Sequence, residues 1–208
     1  ILADTCFLST LSRRDWRDGL AELIKTAAIG DARLFAGMHA RRDALRQLLA
    51  AGPADEVVPG ILSALPWREW IARAVAVKAY VVERDFRESG PRRALNLGHT
   101  LGHALEAWTM AGPRPLSHGE AVSIGMAVVF RIAVARGRCP LEAAVQMIEL
   151  LEACGLPVSH EAPPEDELTR LLAGDKKRTA PAGLKWVLPE RIGRVDIEAT
   201  VSQAEIRR

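Results

Sequence analysis

One segment constrains the fold more than any other. Residues 118–137, HGEAVSIGMAVVFRIAVARG, have the length of a helix and are apolar around most of its circumference. A helix of that kind needs other elements packed around it, so we expect it to be buried inside a folded domain. No apolar run reaches the about 20 residues that span a bilayer, and we therefore predict no membrane partner.

The segments around this helix also show helical spacing, and glycine and proline separate them. Helices are predicted over residues 13–52, 66–89 (with Pro66 in the first turn), about Asn96 to beyond Glu106, 118–137, 140–157 and 161–177. Segments 184–188 and 193–197 could pair as a small hairpin. No GxGxxG lies between a strand and a helix, so this chain carries no Rossmann dinucleotide site of its own. We predict a mainly α domain with a small C-terminal β-hairpin.

Composition excludes several classes of partner. The chain has 208 residues, 49% of them hydrophobic, and a net charge of +2, which gives no case for nucleic acid or a membrane surface. Its three cysteines form no CxxC pair and are typical of reduced thiols in a cytosolic protein. We therefore expect a cytoplasmic globular protein.

The stretch NLGHTLGHALE, residues 96–106, contains two histidines four residues apart. On a helix His99 and His103 share one face and could bind one zinc ion, but they could also be ordinary helix histidines. Gly98 and Gly102 weaken a helix, so something must approach the backbone closely there. Zinc would need a further ligand from another segment, for which His118 is a candidate.

Other polar residues can be interpreted as ordinary structural charges or as site residues. Glu22 and Lys25 are three apart on one helical face, either as a surface ion pair or as ligands of a metal and an anionic substrate. Segment 78–96 holds dense charge, which is a solvated face by default. A loop position is expected for Lys176 and Lys177. Glu120 is best explained as a partner of the helix dipole behind the N-cap Ser117.

Taken together, these segments resemble one family. GLAELIK, VKAYVVERDFRESGPRRALNLGHTLGHALE, HGEAVSIGM, GLP and DKK occur in the order found in the C-terminal domain of 3-dehydroquinate synthases, a group of sugar-phosphate cyclases. The resemblance covers nearly the whole chain. It implies a two-domain enzyme, in which an N-terminal α/β domain binds NAD and this helical domain, residues 1–208, holds zinc and much of the substrate site.

The resemblance also implies roles for individual residues. Zinc, or cobalt in its place, would be held by Glu22, His99 and His118. The substrate's hydroxyl, carboxylate and phosphate groups would be surrounded by Lys25, Lys78, Arg92, Asn96 and His103. Glu88 would orient the basic residues, and Lys176, more than Lys177, would reach the site from its loop. Glu106 is left as a helix-surface residue or an indirect partner of the site.

The implied reaction converts 3-deoxy-D-arabino-heptulosonate 7-phosphate into 3-dehydroquinate and phosphate, a lyase step of the shikimate pathway to the aromatic amino acids. Hydride passes to NAD and returns, so this chain without an NAD-binding half should be inactive. A homodimer is expected, as is common in the family. The alternatives are a non-catalytic, stand-alone zinc-binding paralogue and a cyclase of the 2-deoxy-scyllo-inosose or aminodehydroquinate synthase type.

Two departures from the family pattern bear on local structure. Phe86 follows Asp85 where the family usually has an acidic residue, and we expect a local packing change there. The loop before His118 is rich in glycine and proline, which leaves its closure over the site open but keeps the histidine.

Overall fold

The computed structural model describes residues 3–49, 52–58, 60–87, 90–175 and 184–207. These ranges contain a helical domain with one two-stranded antiparallel sheet, as predicted. The helices are α1 (Arg13–Gly30), α2 (Ala32–His39), α3 (Arg42–Leu49), α4 (Ile61–Ala64), α5 (Trp67–Arg84), α6 (His99–Thr109), α7 (His118–Ala135), α8 (Leu141–Ala153), α9 (Glu165–Asp175) and α10 (Gln203–Ile206). Short 3-10 helices cover Thr5–Thr10 and Pro91–Asn96, and the strands are β1 (Trp186–Arg191) and β2 (Arg194–Ala199).

The apolar helix α7 is the centre of the domain, which confirms its predicted burial. It packs against α1, α6, α8 and β1, and 12 of its 18 residues are buried. By length and composition alone α7 could cross a membrane, contrary to the expectation that no run was long enough. Because 67% of that helix is buried inside the protein, its apolar surface is explained as core.

The start of α7 is fixed against α1. The Ser117 side chain accepts a hydrogen bond from the backbone N–H of Glu120, and the Glu120 carboxylate accepts one from the backbone N–H of Ser117, which together form a capping box. The Ser117 hydroxyl also donates to the Asp18 carboxylate of α1. At Gly119 the two backbones approach so closely that a Cβ would overlap with Asp18. The first turn of α7 is therefore held one helical turn from Glu22.

Glycines also bring α6 into backbone contact with α7. A Cβ on Gly98 would lie 2.7 Å from the backbone nitrogen of Met126, and one on Gly102 would lie 3.2 Å from the carbonyl of Ala121. On the opposite helix, a Cβ on Gly125 would overlap with the carbonyl oxygen of Gly98. The close approach predicted from the glycines of the histidine motif is confirmed, and the partner is the central helix.

The C-terminal hairpin is confirmed as well. β1 and β2 pair antiparallel, with Trp186 opposite Ala199, and the side chains of Trp186 and Leu188 are buried. The turn residue Gly193 donates its N–H to the carbonyl of Ala28 at 2.8 Å. The hairpin thus covers one side of α1 and α7 and closes the core.

Several predicted helical segments extend beyond the observed helices, and the first of them comprises three helices. The first helical region divides into α1, α2 and α3, because the Asp31 side chain accepts from the N–H of Leu34 and begins a new helix. Helix α5 ends at Arg84 instead of residue 89. Helix α6 begins at His99 instead of Asn96, because Gly98 has a φ of +78° and Asn96 ends a 3-10 helix.

The expected packing change at Phe86 was also wrong, because its side chain is 82% exposed and leaves the core untouched. The neighbouring Asp85 is the structural residue. Its Oδ2 accepts from the backbone N–H groups of Gly90 at 2.7 Å and Arg92 at 3.1 Å. Asp85 therefore fixes the turn from α5 into the 3-10 helix that precedes α6.

Replacing Gly125 with alanine tests the backbone contact between α6 and α7. Gly125→Ala should lower the free energy of unfolding by about 1–3 kcal/mol or more, since a new Cβ cannot fit against Gly98. Gly19→Ala is the matched control within α1, where a Cβ would have no neighbour within 4 Å. That change should stabilise the protein by up to about 1 kcal/mol. Equal effects in urea unfolding would contradict the assigned packing.

Candidate metal and substrate site

Three side chains from distant segments converge at the N-terminal ends of α6 and α7. Glu22 lies on α1, His99 is the first residue of α6, and His118 is the first residue of α7. One ligand atom from each lies within 4.8 Å of the other two. Within the described part of the chain, they form the one cluster of histidine, cysteine, aspartate and glutamate with such spacing.

The distances within this cluster fit a cation between the three ligands. Nε2 of His99 lies 3.5 Å from Glu22 Oε1, and Nε2 of His118 lies 3.6 Å from the same oxygen. Tetrahedral zinc, with bonds of about 2.0–2.2 Å to nitrogen and oxygen, places its ligand atoms about 3.4 Å apart. Glu22 Oε1 is buried and accepts no hydrogen bond from the described residues. A metal ion would give this oxygen its missing partner.

Both imidazoles turn the same ring atom towards the centre of the cluster. His99 places Nδ1 3.3 Å from the backbone oxygen of Leu97, and His118 places Nδ1 3.2 Å from Glu106 Oε2. An Nδ1–H that donates to oxygen leaves a lone pair on Nε2, which is how metal-binding histidines are usually oriented. The residues present therefore fit a metal site with one oxygen and two nitrogen ligands.

The charge states suit a divalent cation. Burial and the nearby Lys25 lower the pKa of His99 to about 4, so the ring is neutral at physiological pH. Burial alone would raise the pKa of Glu22, but Lys25, His99 and His118 outweigh burial and lower it. The cluster thus offers an ionised carboxylate at Glu22, a neutral imidazole at His99 and a second imidazole at His118, and zinc accepts ligands of these types.

Lys25 lies beside the cluster and is only 5% exposed. Its Nζ donates to Glu22 Oε2 at 2.7 Å and lies 3.4 Å from His99 Nε2. Burial lowers the pKa of Lys25, against the opposing effect of Glu22. The alternative of a surface ion pair is wrong for these two residues, because the ammonium is buried at the cluster.

Two of the other predicted substrate residues, His103 and Lys78, are exposed beside the cluster. His103 is exposed, and its ring centroid lies 5.2 Å from that of His99 and 5.9 Å from that of His118. Lys78 is exposed on α5, and its charge contributes to the lowered pKa of Lys25. His103 and Lys78 thus flank the cluster without joining it.

Arg92 and Asn96 both belong to the 3-10 helix before α6 and are half-buried. The Arg92 guanidinium donates to the backbone oxygen of Phe86 at 2.8 Å, so in this structure it is held at the turn after α5. Three further predicted residues, Glu88, Lys176 and Lys177, lie outside the described residues.

Two residues near the cluster received no specific role from the sequence. Asp18 lies four residues before Glu22 on α1. This spacing places the two carboxylates on one face of the helix, and it was the feature of the sequence that could have linked Asp18 to the site. Glu106 contacts His118, so it is an indirect partner of the cluster, and not merely a surface residue. No spacing rule could pair Glu106 with His118, since that contact depends on how α6 packs on α7.

Comparison with solved structures defines the class of protein. The fold matches 2-epi-5-epi-valiolone synthase from Streptomyces hygroscopicus subsp. jinggangensis 5008, solved with NAD+ and Zn2+ bound, with a TM-score of 0.79 and 27% identity over 98% of this chain and 52% of that one. It also matches 2-deoxy-scyllo-inosose synthase complexed with carbaglucose-6-phosphate, NAD+ and Co2+, with a TM-score of 0.70 and 23% identity over 99% of this chain and 53% of that one. The second likeness shows the fold alone. The domain therefore has the fold of one half of a sugar-phosphate cyclase.

The particular family follows from the sequence comparison. A profile described as 3-dehydroquinate synthase C-terminal matches residues 19–178, and the chain belongs to that family. It is 38% identical over 216 residues to 3-dehydroquinate synthase of Rhodopseudomonas palustris (strain BisA53), covering all of this chain and 52% of the relative. The 3-dehydroquinate synthase of Prochlorococcus marinus (strain MIT 9303) is also 38% identical, with the same coverage. The chain spans about half the length of these curated relatives.

Metal analysis of single variants tests which histidine is a ligand. Purified protein should bind about one zinc ion per chain, the usual count for a site with three protein ligands. His99→Ala should weaken zinc binding by more than the about 10–100-fold typical of losing an indirect partner. His103→Ala should retain the metal, because its ring lies outside the cluster. Equal loss of zinc in both variants would instead support a shared site on one helical face.

Proposed function

We propose that this chain is the metal- and substrate-binding half of a 3-dehydroquinate synthase. The enzyme would convert 3-deoxy-D-arabino-heptulosonate 7-phosphate into 3-dehydroquinate and phosphate, as a carbon–oxygen lyase of the shikimate pathway. The observation that carries the proposal is the cluster of Glu22, His99 and His118 beside buried Lys25. It occurs in a chain similar over its whole length to half of enzymes with that name.

The ligand set proposed is Glu22, His99 and His118, with zinc as the metal and cobalt as a substitute. When bound, zinc would polarise the substrate hydroxyl that is oxidised, and NAD would accept the hydride and return it. The two structural neighbours support both groups, since one was solved with NAD+ and Zn2+ bound and the other in complex with NAD+ and Co2+.

Lys25 would bind the substrate directly. Its ammonium carries three N–H donors, of which one is used by Glu22. The lone pair of His99 Nε2 can bind either a metal ion or a Lys25 N–H, but not both. Metal binding would therefore leave Lys25 bonded to Glu22 alone, with two N–H groups available to a substrate oxygen. A buried cation is worth more electrostatically than one in water, and it can stabilise charge on the reacting oxygen.

The residues around the cluster would bind the anionic ends of the substrate. Lys78, Arg92, Asn96 and His103 supply donors suited to carboxylate, phosphate and hydroxyl groups, and Arg binds such groups in a bidentate way. His103 would face substrate from the turn of α6 that follows His99. Glu88 and Lys176 are assigned on the resemblance alone, Glu88 to orient the basic side chains and Lys176 to contact substrate.

A second half would supply the nucleotide site. The chain contains no dinucleotide-binding motif and matches about half of each relative and structural neighbour. We propose that residues 1–208 form the C-terminal domain and that an N-terminal α/β domain binds NAD. A cytoplasmic homodimer is proposed from the family. Dehydroquinate synthase is preferred to the other cyclases because the relatives of that name are 38% identical, against 27% and 23% for the structural neighbours.

Turnover by the complete protein tests this function. With its NAD-binding half, zinc and NAD, it should release phosphate from the heptulosonate phosphate far faster than from glucose 6-phosphate, the parent sugar of carbaglucose-6-phosphate. The preferred sugar phosphate separates dehydroquinate synthase from the related cyclases. Zinc binding without turnover of either substrate would favour a non-catalytic paralogue, and turnover without NAD would contradict the mechanism.

The role of Lys25 is tested by an unbranched apolar replacement of similar length. Lys25→Met should lower kcat/KM by about 100-fold or more, since a buried cation at the reacting oxygen is lost. Lys185→Met is the matched control, because Lys185 pairs with Glu198 on the hairpin at 3.5 Å. It should change kcat/KM by less than about twofold, as expected for a partly exposed ion pair outside the cluster. Equal effects of the two changes would remove Lys25 from the substrate site.

A further inference from the structure

We infer that Glu106 is a positioning residue that holds the ring of His118 with Nε2 towards the metal. The inference rests on the metal site of the proposed function and assigns Glu106 a part in it. The contact that carries it is between Glu106 Oε2 and His118 Nδ1, at 3.2 Å. His118 Nε2, on the opposite side of the same ring, lies 3.6 Å from Glu22 Oε1.

Packing alone does not fix the His118 ring. Its side chain is 42% exposed, whereas that of His99 is 12% exposed and enclosed at the start of α6. His118 also follows a loop whose residues 110–115 are exposed. A half-exposed imidazole can rotate about its side-chain bonds, so a directed hydrogen bond is needed to hold one ring orientation. Glu106 supplies that bond.

The position of Glu106 is set by the backbone packing of α6 and α7. The two helices run antiparallel, and Gly102 of α6 touches the backbone of Ala121 on α7. One helical turn further along α6 is Glu106, and one turn back along α7 is His118, so the two residues face each other. Because the helix axes are held this close, a glutamate side chain spans the remaining distance.

The carboxylate does more than a neutral partner could. His99 donates from Nδ1 to the backbone oxygen of Leu97, which likewise holds its ring with Nε2 towards Glu22. At His118 the partner is a carboxylate, and a hydrogen bond to a charged acceptor is stronger than one to a neutral oxygen, so it holds the ring more firmly. Glu106 itself contributes no atom to the cluster of three ligands. Its effect on the metal therefore passes through His118.

Zinc affinity in the Glu106 variants tests the inference. Measured by competition with a chelator, Glu106→Ala should bind zinc about 10–100-fold more weakly than the unchanged protein. Glu106→Gln should recover part of this loss, because its amide oxygen accepts the hydrogen bond but carries no charge. Glu152→Ala, an exposed carboxylate on α8, is the control for a general loss of negative charge and should change the affinity by less than about twofold.

A second measurement separates orientation from general stability. In zinc-free protein with isotope-labelled histidine, the ring nitrogens of His118, assigned by their loss in His118→Gln, should show the proton on Nδ1. Glu106→Gln should keep this tautomer and Glu106→Ala should lose it. The zinc-free unfolding midpoint should be similar in both variants, since a half-exposed pair of this kind contributes little to stability.

The outcomes distinguish this inference from the metal site on which it rests. Unchanged zinc affinity in Glu106→Ala, with the His118 proton still on Nδ1, would overturn the role of Glu106 and leave the metal site standing. Absence of zinc binding by the unchanged protein would overturn both. Weaker zinc binding in Glu106→Ala together with loss of the Nδ1 tautomer would support the inference, and partial rescue by glutamine would assign the remainder of the effect to charge.

Discussion

The backbone contact between α6 and α7 is the constraint on which the site depends. Gly98, Gly102 and Gly125 carry no Cβ at the positions where one would meet the backbone of the other helix, so the two helices approach at backbone distance. In this packing the rings of His99 and His118 have their centroids 5.2 Å apart. Similar contact at Gly119 draws α1 in and carries Glu22 to them. Glycines that lower helix propensity are therefore the reason that three ligands from distant segments can meet.

The charges of Glu22, His99 and Lys25 then determine what the cluster can bind. Burial lowers the pKa of His99, so its ring is neutral, and Lys25 and the histidines lower the pKa of Glu22, so its carboxylate is ionised. One oxygen of Glu22 is paired with Lys25, while the other has no hydrogen-bond donor among the described residues. A buried acceptor without a partner is costly, and that cost is removed by a cation. The same arrangement places the buried Lys25 ammonium beside the cluster, where the proposed function would use it to bind an anionic substrate.

Periodicity predicted the elements of this fold better than their ends. The buried α7 and the hairpin could be recognised from apolar pattern and turn residues, because both features are local. The division at Asp31 could not, since apolar spacing continues through it while one side-chain cap begins a new helix. The start of α6 depended on the left-handed Gly98. The ligand cluster joins positions 22, 99 and 118, a pairing that no spacing rule predicts; it came from the family resemblance, and the Glu106 contact required the structure.

The two histidines of the HxxxH motif show why shared spacing does not imply shared chemistry. His99 and His103 lie on one face of α6, with ring centroids 5.2 Å apart, yet their surroundings differ. His99 is enclosed, with Nδ1 fixed by a backbone oxygen and Nε2 facing Glu22. His103, one turn further along α6, is exposed and lies outside the cluster. The second histidine of the cluster is His118, which comes from α7. The antiparallel helix α7 thus supplies the second histidine of the cluster in place of the i+4 residue. Under the proposed function, His103 would then be left for substrate. Helix packing, and not sequence spacing, divides the roles.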